Sequence, residues 1–432
     1  MIEVANAINA EDPGERWWTY DANEKPPPFG HAVKSFWGFD PEYVNLNHGS
    51  LGAPPLPVLK RCQELTMLAE NNPDKSHRLT YLLLLNEVRK HAANVIGADH
   101  EEVVLAPNAL HAITTVFANF EWKQGDVIIG ANTAYIAVED SKAKELYHEA
   151  SFNDTPPSLY AQSDLRVEDK KNKLVIVLDS ITPMPSVALP WKEMVKIRRE
   201  EGAWSIVDGA QSIGQEARPL LLDFFISNCH KWFYAKRGCA LLYVPKRNQY
   251  IIRSSIPTSA QYIARNDLDC VDVKLRSSNF VDQHAWTATI DLVPQLSVTP
   301  AVQFREWLGG EEVINAYCHQ LAIAGGKGLA EILGTEVLDV TGELTRNMTT
   351  VRLPLKAEGI SGTVYTPSSR GKISKTFTDR LLTEFNVSAT CFFYQGRWWC
   401  RCSAQVYNEL ADFEYIGRAL KKFCEDIEEP ML

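Results

Sequence analysis

Short apolar runs alternate with amphipathic stretches through the middle of the chain, and this rhythm predicts the fold. Six runs read as buried strands: EEVVLA (101–106), DVIIGA (126–131), KLVIVLD (173–179), WSIVD (204–208), DFFIS (223–227) and CALLYV (239–244). Helical stretches lie between them, among them HAITTVFANF (111–120) and PWKEMVKIRREEG (190–202). Continuous apolar runs separated by helices imply a mainly parallel α/β sheet covered on both faces. Two helices precede it within 56–97, and Gly97 is placed to stop the second.

After residue 290 the rhythm changes. Helical patterns fill 299–333, followed by the strand-like NMTTVRLPL, VSATCFFYQG and RWWCRCSAQVY and a closing helix, DFEYIGRALKKFCEDI. The chain therefore divides into an irregular, aromatic arm (1–45), a large α/β domain (46–290) and a smaller α+β domain (291–432). Segments 139–173 and 364–376 read as loops or shortened connections.

Composition narrows the function classes. The 432 residues are 45% hydrophobic and 23% charged, enough to bury substantial cores. The net charge is −10 and no Lys/Arg-rich run occurs, which argues against a nucleic-acid partner. Nine cysteines include no CxxC pair. Cys400 and Cys402 share one strand face but lack the further ligands of a zinc site, so reduced core thiols and no metal are expected. The N-terminus has no basic segment followed by an apolar one, and no stretch has membrane-spanning length, so a cytoplasmic protein is expected.

In open α/β sheets ligands sit outside the carboxyl ends of the strands. Four polar groups stand at such places or on a C-terminal strand: Asp208 after WSIV, SNCHKW (227–232) after DFFIS, Asn108-Ala109 after EEVVLA, and Arg401 within RWWCRCSA. Each alone has an ordinary reading: helix cap, surface charge, packed histidine or ion pair. Together they match the needs of pyridoxal phosphate. Lys231 supplies the amine for a Schiff base, and Asp208 a carboxylate against the pyridine nitrogen. Gln211 reaches the ring hydroxyl. Asn108, Ala109, Ser227 and His230 offer a phosphate cradle. Arg401 offers a planar fork to an α-carboxylate.

The segments DGAQSIG and SNCHKW resemble fold-type I pyridoxal-phosphate enzymes of the class V aminotransferase group. NLNHGSLG (45–52), NPDKSHR (72–78), WTATID (286–291), LGGEE (308–312) and RCSAQVYNEL (401–410) are similar to the branch holding isopenicillin N epimerase-like, cysteine desulfhydrase-like, hercynylcysteine sulfoxide lyase and loline-pathway enzymes. The resemblance implies that Lys231 is both Schiff-base residue and general base. It implies that Thr287 reaches the phosphate of a neighbouring subunit, hence a homodimer with shared sites. Asn47, His48, Gly49 and Ser50 would line the substrate side, with Arg78 assisting Arg401 and Tyr135 lying over the ring as an acid. The chain carries Leu110 and Ile136 where the family pattern has threonine and glycine. It reads Pro183-Met184-Pro185-Ser186 where that pattern has a turn ending Pro-Gly. The implied reaction is Cβ–S cleavage of a cysteine-derived amino acid. Cyclisation or epimerisation from the same Cα carbanion, transamination, and a non-catalytic interaction protein are the alternatives. Cysteine desulfuration is disfavoured, because Cys391 lies in an apolar strand pattern and reads as core.

Overall fold

The fold is taken from a computed structural model, which describes residues 19–131, 133, 147–150, 172–216, 222–253, 255, 279–360 and 363–426. Twelve strands occur among them. Val44–Asn45 is β1. The next seven are β2 Val103–Ala106, β3 Val127–Ala131, β4 Tyr147–Ala150, β5 Leu174–Asp179, β6 Trp204–Asp208, β7 Phe224–Asn228 and β8 Ala240–Tyr243. These seven form one sheet in the order β2-β8-β7-β6-β5-β3-β4. Strands β4, β3, β5, β6 and β7 run parallel in sequence, and β8 is antiparallel to both its neighbours. The mainly parallel α/β sheet expected from the apolar runs is present.

The chain falls into two compact units, one of residues 61–183 and 188–302, the other of 1–60, 184–187 and 303–432. The described part of the arm belongs with the C-terminal residues: Gly30 N–H donates to the Val406 carbonyl (2.7 Å), and the Tyr20 and Trp307 rings lie 4.7 Å apart.

In the sheet unit, helix Tyr81–Ile96 ends at Gly97, whose φ of +68° suits the left-handed cap the sequence predicts. The helix before it stops at Asn71, and a π-helical turn, Ser76–Thr80, leads into Tyr81. Helix Ala109–Asn119 packs Ala112, Ile113, Val116 and Phe117 into a core with Val177, Ile206 and Phe224 from the sheet. The packing places the helix start beside the carboxyl end of β7.

In the other unit, β9 Met348–Arg352, β11 Thr390–Tyr394 and β12 Arg397–Ser403 form an antiparallel sheet. β10 Val387–Ser388 pairs parallel with β1. Helices Gly310–Leu333, Pro367–Glu384 and Leu410–Asp426 pack around it. Segment 364–376, expected as a loop, lies largely in the second of these. Thr366 caps it by accepting the Ser369 N–H, and Ile373, Phe377 and Leu381 recur on its buried face. Ser, Gly and Thr in its first turns mask the helical period. Ser186 adopts a φ of +60°, doing there what glycine does in the family pattern. Its hydroxyl lies 2.7 Å from that of Thr350, which donates in turn to the Pro185 carbonyl. Segment 139–173 contributes β4 to the sheet; most of the segment lies outside the described residues.

Candidate active site

Asp208 ends β6 with its carboxyl buried, and the Ala210 N–H donates to its Oδ1 across 2.8 Å. Burial pushes this carboxyl above its ordinary range, while the Ala210 N–H and the Lys231 ammonium pull it back. Lys231 follows β7, so the sheet brings into electrostatic reach two groups that are distant along the chain.

A tight turn after Asp208 sets Gln211. Ser212 N–H donates to the Gly209 carbonyl (2.7 Å) and Ile213 N–H to Ser227 Oγ (3.1 Å). The Ser227 hydroxyl donates to the Gly209 carbonyl. Ser227 thus spends its donor, and accepts once, inside this turn. Trp232 Nε1–H donates to Gln211 Oε1 (2.7 Å). An indole nitrogen donates only, so it fixes which end of the amide is oxygen and turns the NH2 end to the other side. Gly214 holds a φ of +85°, and a Cβ there would stand 2.7 Å from the Trp232 carbonyl, so the turn and the lysine loop meet only at glycine.

At the start of helix Ala109–Asn119, Asn108 caps by accepting the His111 N–H (2.8 Å). Ala109 N–H donates to Asn228 Oδ1 (2.9 Å). Asn228, three residues before Lys231, therefore ties the helix start to the lysine loop, a link the sequence reading missed by fixing on Ser227. Leu110 is exposed. His230 donates from Nδ1 to the Cys239 carbonyl (3.2 Å), and burial above all pushes its imidazole down to about 4, so it is neutral at pH 7.

Arg78 lies elsewhere in this unit. It pairs with Asp74 (3.0 Å), largely in solvent, and lines a cavity of about 570 Å3 with His77, Trp286 and Thr289. The half-buried Thr287 sits between those last two in sequence. Tyr135 and Ile136 lie outside the described residues.

The other unit builds a second cluster around Arg401, which is 3% exposed on β12. Its Nη2 donates to Asn47 Oδ1 (3.0 Å), Ser50 Oγ (2.6 Å) and Thr390 Oγ1 (3.2 Å). All three are uncharged oxygens. Burial pushes the guanidinium down to about 10, still a cation at neutral pH. His48 is wholly buried with Nδ1 2.9 Å from the Tyr407 hydroxyl, an arrangement that anchors the single turn carrying Asn47 and Ser50. Cys391 lies in the core of this unit, as its apolar surroundings in sequence predict.

The class V aminotransferase pattern matches residues 52–355. The chain belongs to that family. Over 94% of its length it is 34% identical to the L-cysteine desulfhydrase-like protein lolT1 of Epichloe uncinata, covering 98% of that protein. It is 29% identical to the hercynylcysteine sulfoxide lyase of Schizosaccharomyces pombe, with 92% and 98% of the two chains covered. It is 25% identical to isopenicillin N epimerase of Amycolatopsis lactamdurans, with 89% and 96% covered. Among solved structures, the cystine C–S lyase C-DES in complex with cysteine persulfide superposes with a TM-score of 0.69 at 17% identity, covering 88% of this chain and 98% of that one. An apo cysteine desulfurase from Thermococcus onnurineus gives 0.70 at 16%, with 94% and 100% covered. These two show a shared fold. The family's cofactor is pyridoxal phosphate, and the residues present suit it: an amine and a carboxylate in electrostatic contact, an amide with its donor end preset, and a capped helix start.

Proposed function

We propose that this protein is a pyridoxal-phosphate-dependent lyase that cleaves the Cβ–S bond of a cysteine-derived amino acid. The observation that carries the reading is the meeting of Lys231 and Asp208 at the ends of adjacent strands, with Gln211 oriented beside them. When bound, the cofactor supplies an electrophilic carbonyl and a ring that accepts electron density from the substrate Cα.

The chain's residues then divide the work. Lys231 anchors the cofactor and, once released, takes the Cα proton. Buried Asp208 keeps a proton on the ring nitrogen. The Gln211 NH2 donates to the ring oxygen. Asn108, Ala109 and His230 line the helix start, whose dipole receives the phosphate, and Asn228 and Ser227 hold that cradle in shape. Arg401, braced by Asn47, Ser50 and Thr390, receives the substrate carboxylate. His48 enters as the residue that positions Asn47 and Ser50, and Arg78 and Tyr135 as further substrate-side groups. In sum, the substrate and one water become a thiol or sulfenate, pyruvate and ammonia.

The proposal extends to a cytoplasmic homodimer in which Thr287 serves the neighbouring subunit's phosphate. In support, Leu79, Leu82 and Leu83 of the sheet unit, spaced i, i+3 and i+4, are half or more exposed, as is Met67, apolar side chains of the kind a partner subunit covers. Among the described residues no helix is long and apolar enough to cross a membrane.

The test is pyruvate release from cysteine and from S-substituted cysteine sulfoxides, with Lys231→Ala as control. Pyruvate from none of them by the wild type sinks the lyase reading. A second reading, epimerisation, draws on the similarity to isopenicillin N epimerase. Solvent-deuterium incorporation at Cα without elimination would favour it.

A further inference from the structure

Asp179 closes β5 and takes no part in the assignments above. Its register partner is Asp208 of β6, and neighbouring strands run about 4.8 Å apart, so the two residues stand side by side at the same sheet edge. Both are buried, 4% and 7% exposed. Asp208 receives a hydrogen bond from Ala210 N–H. Among the described residues, no hydrogen bond reaches the Asp179 carboxyl from any residue but its own. The charged groups acting on it are Asp208 and Lys231.

Two buried carboxylates face one ammonium. If both ionised, the crevice would hold an uncompensated negative charge in a low-dielectric setting, which closely paired carboxyl groups avoid by keeping a proton. The proton belongs on the member with the poorer support for its charge. That member is Asp179, which lacks the inter-residue N–H that Asp208 enjoys. The electrostatics agree: burial first, then the Asp208 charge, push the Asp179 carboxyl well above its ordinary value, against a smaller pull from its own amide and Lys231.

We propose that Asp179 and Asp208 hold one proton between them at neutral pH, carried by Asp179, so that Asp208 is the pair's sole anion. Asp179 is then a positioning residue that fixes the charge of its neighbour. Its bearing on catalysis rests on the reading of Asp208 as the ring nitrogen's partner. The pair answers any change of charge at Lys231 with a proton shift rather than an uncompensated charge.

The experiment is infrared spectroscopy of the enzyme as purified, at neutral pH, comparing wild type, Asp179→Asn and Asp208→Asn. The wild type should show the carbonyl stretch of a protonated carboxyl, which isotope-labelled aspartate assigns to an aspartate and the substitutions to this pair. Asp179→Asn should abolish it. Asp208→Asn should abolish it too, because the remaining carboxyl is then the pair's only acid and ionises in its neighbour's place. A wild type without the band, or a band surviving either substitution, overturns the proposal. Asp179→Asn should also bind pyridoxal phosphate within about threefold of wild type, since an amide replaces an uncharged acid of the same shape. A much larger loss would mean that a charge had been removed, and would overturn it as well. Failure of the cofactor reading is distinct: it shows as no cofactor absorbance retained by the wild type once free cofactor is removed.

Discussion

Trp232 and Gln211 are joined by an indole N–H donated to an amide oxygen across 2.7 Å, with both side chains buried. The tryptophan decides which way the amide faces. Trp232→Phe keeps the ring volume and removes the donor. The loss of a buried hydrogen bond costs about 1–3 kcal/mol, so pyridoxal phosphate should bind roughly five- to 150-fold more weakly while the fold is retained. Titration of the visible absorbance against cofactor concentration checks this, with circular dichroism as the control for folding.

Arg401 makes a separate prediction. Its guanidinium is held by Asn47, Ser50 and Thr390, so its planar fork is set in advance. Arg401→Lys keeps the charge and loses the fork. A charge-assisted hydrogen bond contributes about 1.5–3 kcal/mol, so kcat/KM should fall on the order of 10- to 100-fold with KM raised. Cofactor affinity should stay unchanged, because the loss concerns the substrate carboxylate. Steady-state kinetics set beside a cofactor titration separates the two effects.

Acid should destabilise the protein in part through His284. It is buried, its Nδ1–H donates to the Phe280 carbonyl (2.8 Å), and among the described residues its Nε2 has no hydrogen-bond partner. Burial pushes the imidazole down to about 4, below the ordinary 6.5. The unfolded chain therefore takes up its proton first as pH falls. Stability is unaffected by this group above about 6.5 and is lost progressively between about 6.5 and 4, by on the order of 3 kcal/mol in full. His284→Gln cannot be protonated. Its melting temperature should drop less than that of wild type between pH 7.5 and pH 5, and an equal drop in the two proteins refutes the assignment.

Asn228 ties Ala109 to the lysine loop. Asn228→Ala leaves a buried N–H without its acceptor, at a cost of about 1–3 kcal/mol. Thermal unfolding should show the deficit in cofactor-free protein and a smaller one with pyridoxal phosphate present, since an anion at the helix start can take up that N–H. A deficit unchanged by cofactor would place the phosphate elsewhere.

Much of this was legible in the sequence for simple reasons. LVIVLD, WSIVD and DFFIS are buried on both faces, so their apolar runs are unbroken and their polar ends stand out. Asp208 and Lys231 could be paired because a strand end points into the crevice whatever the helices do. What stayed hidden depends on neighbours far along the chain. Asp179 reads as the last letter of a strand until the register sets it against Asp208. Asn228 reads as a spacer until the start of helix Ala109–Asn119 is packed on it. Asn47 and Ser50 are held by Arg401, more than 350 positions later in Asn47's case, a contact no local pattern announces. The helix at Pro367–Glu384 was obscured by its own polar first turns.

The unit that holds Arg401 is assembled from both extremities of the chain and from residues 184–187. The sheet unit occupies a nearly unbroken stretch. On the ribosome the latter can close while synthesis is still under way, whereas β1 must wait for β10, made some 340 residues afterwards. The grip proposed for the substrate's carboxylate is therefore the last part of the protein to exist, and a nascent or prematurely terminated chain would hold a finished sheet unit without the arginine proposed to recognise an amino acid.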